Sequence, residues 1–219
     1  MVGQILENFI DDDFVQWLCW FWQQLPNQVD TGQRHRALLN HQLEWATSLH
    51  QKLKKLVDPY ERDFEIVTAM LSSDYAPGGI HSDGWLSAYP EKQISRTYLV
   101  PLQITSNNHT VIFRECSDEA VTFNSFMGMG NSGIVNYKQI EPKEILDTCS
   151  NIPKDTYDKY LTHLPYDKLQ GLTVDSVLPW KVGTAISWPR RNFHCSANYD
   201  QTTVRLSLIL MTSCNTPST

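Results

Sequence analysis

The chain has 219 residues, 41% hydrophobic and 19% charged, with a formal net charge of −6; that is the make-up of a globular domain large enough to bury its own core without disulfides or a structural metal. The acidic balance argues against a nucleic-acid partner, because gripping phosphates calls for a basic face. Five cysteines, at 19, 116, 149, 195 and 214, are odd in number, widely spaced and without a CxxC, which argues against a disulfide framework or a zinc site and fits reduced thiols in the cytoplasm.

The N-terminal stretch MVGQILENFIDDDF has neither the basic start nor the apolar run of a signal peptide, and no later run is long enough to span a membrane. In residues 11–25, Phe14, Trp17, Leu18, Phe21, Trp22 and Leu25 recur at offsets of three and four, the stripe of an amphipathic helix. Three aspartates at 11–13 sit at its start, where the helix dipole favours negative charge. Pro26, Asn27, Asp30 and Gly32 turn the chain. Leu38, Leu39, Leu43, Ala46, Leu49, Leu53 and Val57 then predict a second helix over 33–57, stopped by Pro59. Lys52, Lys54 and Lys55 read as its solvated face.

Beyond residue 62 the period changes. Residues 64–71, 96–104, 110–115, 121–123, 183–188 and 203–212 are short, β-branched or alternating runs that predict strands, with Pro101 marking an edge or a bulge. Between 124 and 180 the pattern is less regular, with a Gly-rich stretch, FMGMGNSG, and one or two short helices within 142–171. Helices followed by many strands predict one α+β domain, 1–219. A helical layer (1–62) would cover one sheet of a jelly-roll core (63–215).

Two separated phrases carry chemistry. In His81-Ser82-Asp83 an imidazole and a carboxylate two residues apart share one side of an extended segment. Alone this means little, since HxD arises by chance in roughly one chain in four of this length. Far downstream come Asn192-Phe193-His194-Cys195-Ser196 and Arg205-Leu206-Ser207. Pairing 190–196 with 203–209 as a hairpin sets His194 opposite Arg205. It gathers Asn192, His194, Ser196, Thr203, Arg205 and Ser207 on one face, leaving Phe193, Cys195, Val204 and Leu206 on the other. Two imidazoles and one carboxylate make the facial ligand set of non-haem iron(II) oxygenases, and an arginine fork suits a carboxylate. Cys195, of opposite parity to His194, is expected buried and inert. His35, His41, His50, His109 and His163 read as surface or packing residues, and Arg190 as a solvated charge.

HxD, a distant His and RxS on the next strand resemble the signature of 2-oxoglutarate-dependent iron(II) oxygenases with a double-stranded β-helix (jelly-roll) core. The likeness covers residues 75–115 and 180–212 and extends loosely to uncharacterised members from phages and marine microbes. It implies iron(II) on His81, Asp83 and His194. It also implies 2-oxoglutarate with its far carboxylate on Arg205, helped by Ser207 and by Tyr98 or Tyr75, and dioxygen as second co-substrate. Decarboxylation to succinate would drive hydroxylation of a small molecule, amino acid or peptidyl residue. Trp85 and Arg191 are the candidates for contacting that substrate. The carboxylate ligand disfavours halogenation. Residues 124–180, which lengthen the gap between Asp83 and His194, are assigned to an insertion forming a lid. Two other readings stay open from sequence: a cupin-type metal enzyme that does not use 2-oxoglutarate, and a non-catalytic β-sandwich binding module.

Overall fold

The computed structural model describes residues 1–25, 29–30, 34–39, 44–83, 92–117, 121–123, 138–140, 152–169, 171–199 and 205–215. Trp85 and the FMGMGNSG stretch lie outside them. Helix α1 (Asp12–Gln24) begins where expected. The Asp11 side chain caps it by accepting from the Phe14 amide at 2.7 Å, which satisfies one of the free donors of the first turn. Helix α2 (Glu44–Val57) is shorter than the predicted 33–57. Within the predicted span, Arg34–Leu38 is instead the strand β3, paired with the sheet. The leucines at 38 and 39 imitated a helical stripe, but an open strand edge was there to be paired, and pairing overrode the local pattern.

Seven strands form the major sheet in the order β1 (Gln4–Leu6), β10 (Ala185–Pro189), β5 (Lys92–Ile104), β12 (Arg205–Asn215), β4 (Phe64–Asp74), β3 and β2 (Val29–Asp30). A smaller sheet runs β11 (Asn192–Ser196), β6 (His109–Cys116), β9 (Val174–Pro179). A short parallel pair, β7 (Val121–Phe123) and β8 (Lys138–Ile140), stands beside them. This is the expected α+β jelly roll. The insertion ends earlier than 180, however, because Val174–Pro179 pairs with β6 as part of the smaller sheet.

Strand alternation sorts the side chains. On β12, Leu206, Leu208 and Leu210 pack outward against Leu18 of α1 and Leu49, Leu53 and Val57 of α2. Arg205, Ile209 and Met211, of the other parity, line the interior. On β4 a bulge opposite Met211/Thr212 shifts the parity. Phe64 and Ile66 face the helices, and beyond the bulge Ala69 and Leu71 do. Pro101 sits at a bulge against β12, past the last residue that β10 pairs, where its missing N–H costs no ladder bond. The outer face of the smaller sheet (Val111, Phe113, Phe193, Cys195) is covered by Ile152, Leu161, Leu164 and Leu169 of the 152–172 segment, which carries helix α3 (Lys154–Tyr160). A third cluster, Ile112, Leu178, Trp180, Ile186 and Trp188, adjoins the site, with Trp180 and Trp188 from it also lining the site cavity. Among the described residues no helix is long and apolar enough to cross a membrane.

Candidate metal centre

The predicted hairpin does not form. Strand β11 pairs with β6 in the smaller sheet, and β12 lies between β5 and β4 in the larger one, so His194 and Arg205 come from facing sheets and are not cross-strand neighbours. The predicted parity nevertheless holds for both, because each strand turns its polar residues into the same interior: one cavity is lined by His81, Asp83, His194, Ser196 and Arg205. A buried face sorts side chains by parity whichever strand sits alongside.

The His81-Ser82-Asp83 segment is fastened to the β10–β11 corner at both ends. His81 and His194 exchange backbone bonds, N–H to carbonyl, at 3.0 and 2.9 Å, and the Asp83 amide donates to the Arg190 carbonyl at 2.8 Å. These bonds bring the distant phrases together. One ligand atom from each of His81, Asp83 and His194 lies within 4.8 Å of the others. His81 Nε2 is 3.8 Å from Asp83 Oδ1, His194 Nε2 is 3.4 Å from Asp83 Oδ2, and the imidazole centroids are 4.3 Å apart.

Both rings are oriented by the backbone carbonyl two residues upstream: His81 Nδ1 donates to Gly79 O at 2.9 Å and His194 Nδ1 to Asn192 O at 3.1 Å. With Nδ1 protonated, Nε2 of each ring carries the lone pair that faces the carboxylate. Burial and the neighbouring His194 push the His81 imidazole down to about 3, so it is a neutral ligand at ordinary pH. Burial works to raise the Asp83 carboxyl, but the two imidazoles, the Thr97 hydroxyl and Arg190 outweigh it and hold it below the usual carboxylate range. The site thus presents the neutral His81 imidazole and the Asp83 anion, with His194 Nε2 turned toward the same carboxylate.

Arg205 is 2% exposed and lies between two aromatic faces, 3.9 Å from the Trp180 centroid and 4.2 Å from that of Tyr199. Trp180 is itself held by its indole N–H, which donates to Thr110 Oγ1 at 2.9 Å. Among the described residues, Arg205 Nε and Nη1 and the buried Ser207 Oγ meet no hydrogen-bond partner. Leaving such donors unmet inside a protein is costly, and the Arg205 donors, which face the cavity, fit an incoming carboxylate. Asp74 and Arg34, joined at 3.3 Å, line the same cavity.

Other expected residues fall elsewhere. Tyr98 is on the helix face of β5, stacked on Phe9 at 5.9 Å with its hydroxyl donating to Glu61 at 3.0 Å. Its neighbours Thr97 and Leu99 are the ones that line the cavity. Tyr75 is 42% exposed and bonded through its hydroxyl to His35 Nδ1 at 2.9 Å. Arg191 is exposed at the β10–β11 turn. Arg190, read from sequence as solvated, is 2% exposed. Cys195 is buried, and burial pushes its thiol up, as expected of an inert residue. Sequence reading missed Thr97, whose parity opposite Tyr98 could have found it. It also missed Arg34 and Arg36, whose i, i+2 spacing was hidden by reading a strand as helix.

No protein-family model and no curated protein matches the chain. Solved structures do match in fold. One is the non-haem α-ketoglutarate-dependent epimerase SnoN of nogalamycin biosynthesis, at TM-score 0.55 and 12% identity over 97% of this chain and 78% of that one. Another is HygX from Streptomyces hygroscopicus, solved with nickel and 2-oxoglutarate bound, at 0.54 and 11% over 97% and 83%. A third is an oxidoreductase of the 2OG-Fe(II) oxygenase family from Burkholderia pseudomallei, at 0.53 and 11% over 97% and 85%. The chain has their fold. At such identity the likeness concerns the backbone, and the chemistry has to be argued from the site.

Proposed function

We propose that the protein is an iron(II)- and 2-oxoglutarate-dependent dioxygenase, a hydroxylase of a small molecule, amino acid or peptidyl residue. One observation carries this: a partly buried and a buried imidazole and one buried carboxylate converge within 4.8 Å in the same cavity as a buried arginine whose Nε and Nη1 meet no partner among the described residues. The donor set fits iron(II), since three ligands leave coordination positions open. Zinc takes similar ligands in hydrolases, but an arginine held ready for a carboxylate has no part in activating water. His81, Asp83 and His194 would hold the metal, and Arg205 with Ser207 the far carboxylate of the co-substrate. When bound, the iron with 2-oxoglutarate and dioxygen supplies an oxidation of a C–H bond coupled to decarboxylation, leaving succinate.

The chain's own residues do the rest. Gly79 and Asn192 carbonyls fix the imidazole tautomers. The Trp180 and Tyr199 rings keep the guanidinium plane from swinging, so the co-substrate meets a fork already set. Leu99, Trp188, Ile209 and Met211 wall the cavity with apolar surface, which limits water beside the ligands. The formal charge of −6 supports a substrate other than nucleic acid.

The test is succinate formation from 2-oxoglutarate by iron-loaded protein, with metal content measured in parallel. Wild type is expected to bind one iron per chain and form succinate; Asp83→Ala, lacking the only anionic ligand, is expected to do neither. Full iron binding by the Asp83 variant rejects the ligand set. Iron binding by wild type without any succinate rejects the co-substrate and favours a cupin-type reaction.

A further inference from the structure

We infer that Arg190 and Thr97 are positioning residues for Asp83, a latch that fixes the carboxylate for the metal. This rests on the ligand set proposed above. Asp83 lies on a segment that is not part of any described strand. What holds it comes from other elements. Thr97 Oγ1 donates to Asp83 Oδ2 at 2.8 Å, a fully buried bond across 14 residues. Arg190 grips the backbone of the same residue from both directions: its carbonyl accepts from the Asp83 amide at 2.8 Å, and its Nη2 donates to the Asp83 carbonyl at 3.1 Å.

Arg190 is in turn anchored. Its amide donates to Ser95 O at 2.9 Å, and Nη1 donates to Thr212 O at 2.9 Å and to Ser213 Oγ at 3.2 Å. One buried guanidinium therefore joins the ligand segment to the far end of β12 while its own backbone is tied to β5. Planar donors in fixed directions suit this task, and a lysine could satisfy only part of it. A carboxylate whose main chain is clamped and whose Oδ2 is bonded has little rotational freedom left. Holding a ligand to within a fraction of an ångström is what metal affinity demands of outer partners.

The experiment titrates metal-free full-length protein with cobalt(II) under nitrogen, reading visible absorbance, and records thermal melting of each metal-free variant alongside. Wild type is expected to bind one cobalt(II) and Asp83→Ala none. Arg190→Met and Arg190→Lys are expected to bind about 10- to 100-fold more weakly, with an altered spectrum. Thr97→Val is expected to weaken binding about 10-fold or more, and Thr97→Ser to restore it. If the Arg190 variants do not fold, the Thr97 pair decides alone, since valine keeps nearly the shape of threonine and removes only the donor. Native cobalt affinity and spectrum in folded Thr97→Val, or in a folded Arg190 variant that merely melts earlier, overturns the inference while leaving the ligand set intact. Absence of cobalt binding by wild type overturns both.

Discussion

At the scale of single residues, parity on a strand decides which side chain meets the site. Arg205 points between the sheets and Tyr98 points to the helices, although both were candidates for the same co-substrate. Arg205→Ala is expected to raise the 2-oxoglutarate requirement about 10- to 100-fold, the worth of hydrogen bonds to a charged group. Arg205→Lys should recover part of this, because it keeps the charge and loses the fork. Tyr98→Phe is expected to leave the requirement unchanged. Initial rates of succinate formation against 2-oxoglutarate concentration separate the three. An increase in the Tyr98 variant equal to that of Arg205→Ala would contradict the placement of Tyr98.

Among the elements, much of the fold was legible where one face is apolar over several turns or strand residues. Helix α1 with aspartates at its start, the end of α2 and strands β4, β5, β6, β10 and β12 all follow from period, charge placement and turn signals. The three residues that converge on the candidate metal site were legible as residue types at a spacing. What failed was pairing. Nothing local in 190–209 distinguishes a hairpin from two strands that join different sheets, and Arg34–Leu38 became a strand because β4 offered it an edge. Arg190 was misread because a charged residue next to another at a turn looks solvated until the partners from β12 are known.

Gly3, just ahead of β1, shows how tightly these elements meet. A Cβ on Gly3 would collide with the end of Ile112 and come within 2.8 Å of Ser176 Oγ and 2.9 Å of Leu178 Cδ1. Gly3→Ala is therefore expected to destabilise by about 1–3 kcal/mol, the usual cost of overpacking, measured by urea unfolding. An unchanged midpoint would show that the three side chains yield freely.

For the whole molecule, the buried imidazoles set a dependence on acid. Burial pushes His163 down to about 4, and His81 lies at about 3, against an ordinary imidazole near 6.5. Both bind a proton more weakly folded than unfolded. The unfolded chain therefore takes up more protons between those values and the ordinary one, and stability falls as pH drops through that window. Asp74 and Asp83, held below the usual carboxylate range, are depressed acids whose contribution is lost at still lower pH. Metal-free protein is thus expected to weaken steadily from about pH 6.5 to 4, and His163→Gln to weaken less over the same span. Parallel unfolding curves for the two proteins would remove His163 from this account.

The exchange of backbone bonds between His81 and His194 ties one ligand to the smaller sheet, while the Thr97 hydroxyl ties the carboxylate to the larger. An ion seated there would act as a rivet through both walls of the sandwich. Filling the site would stiffen the two walls against each other, and emptying it would leave them joined there by hydrogen bonds alone.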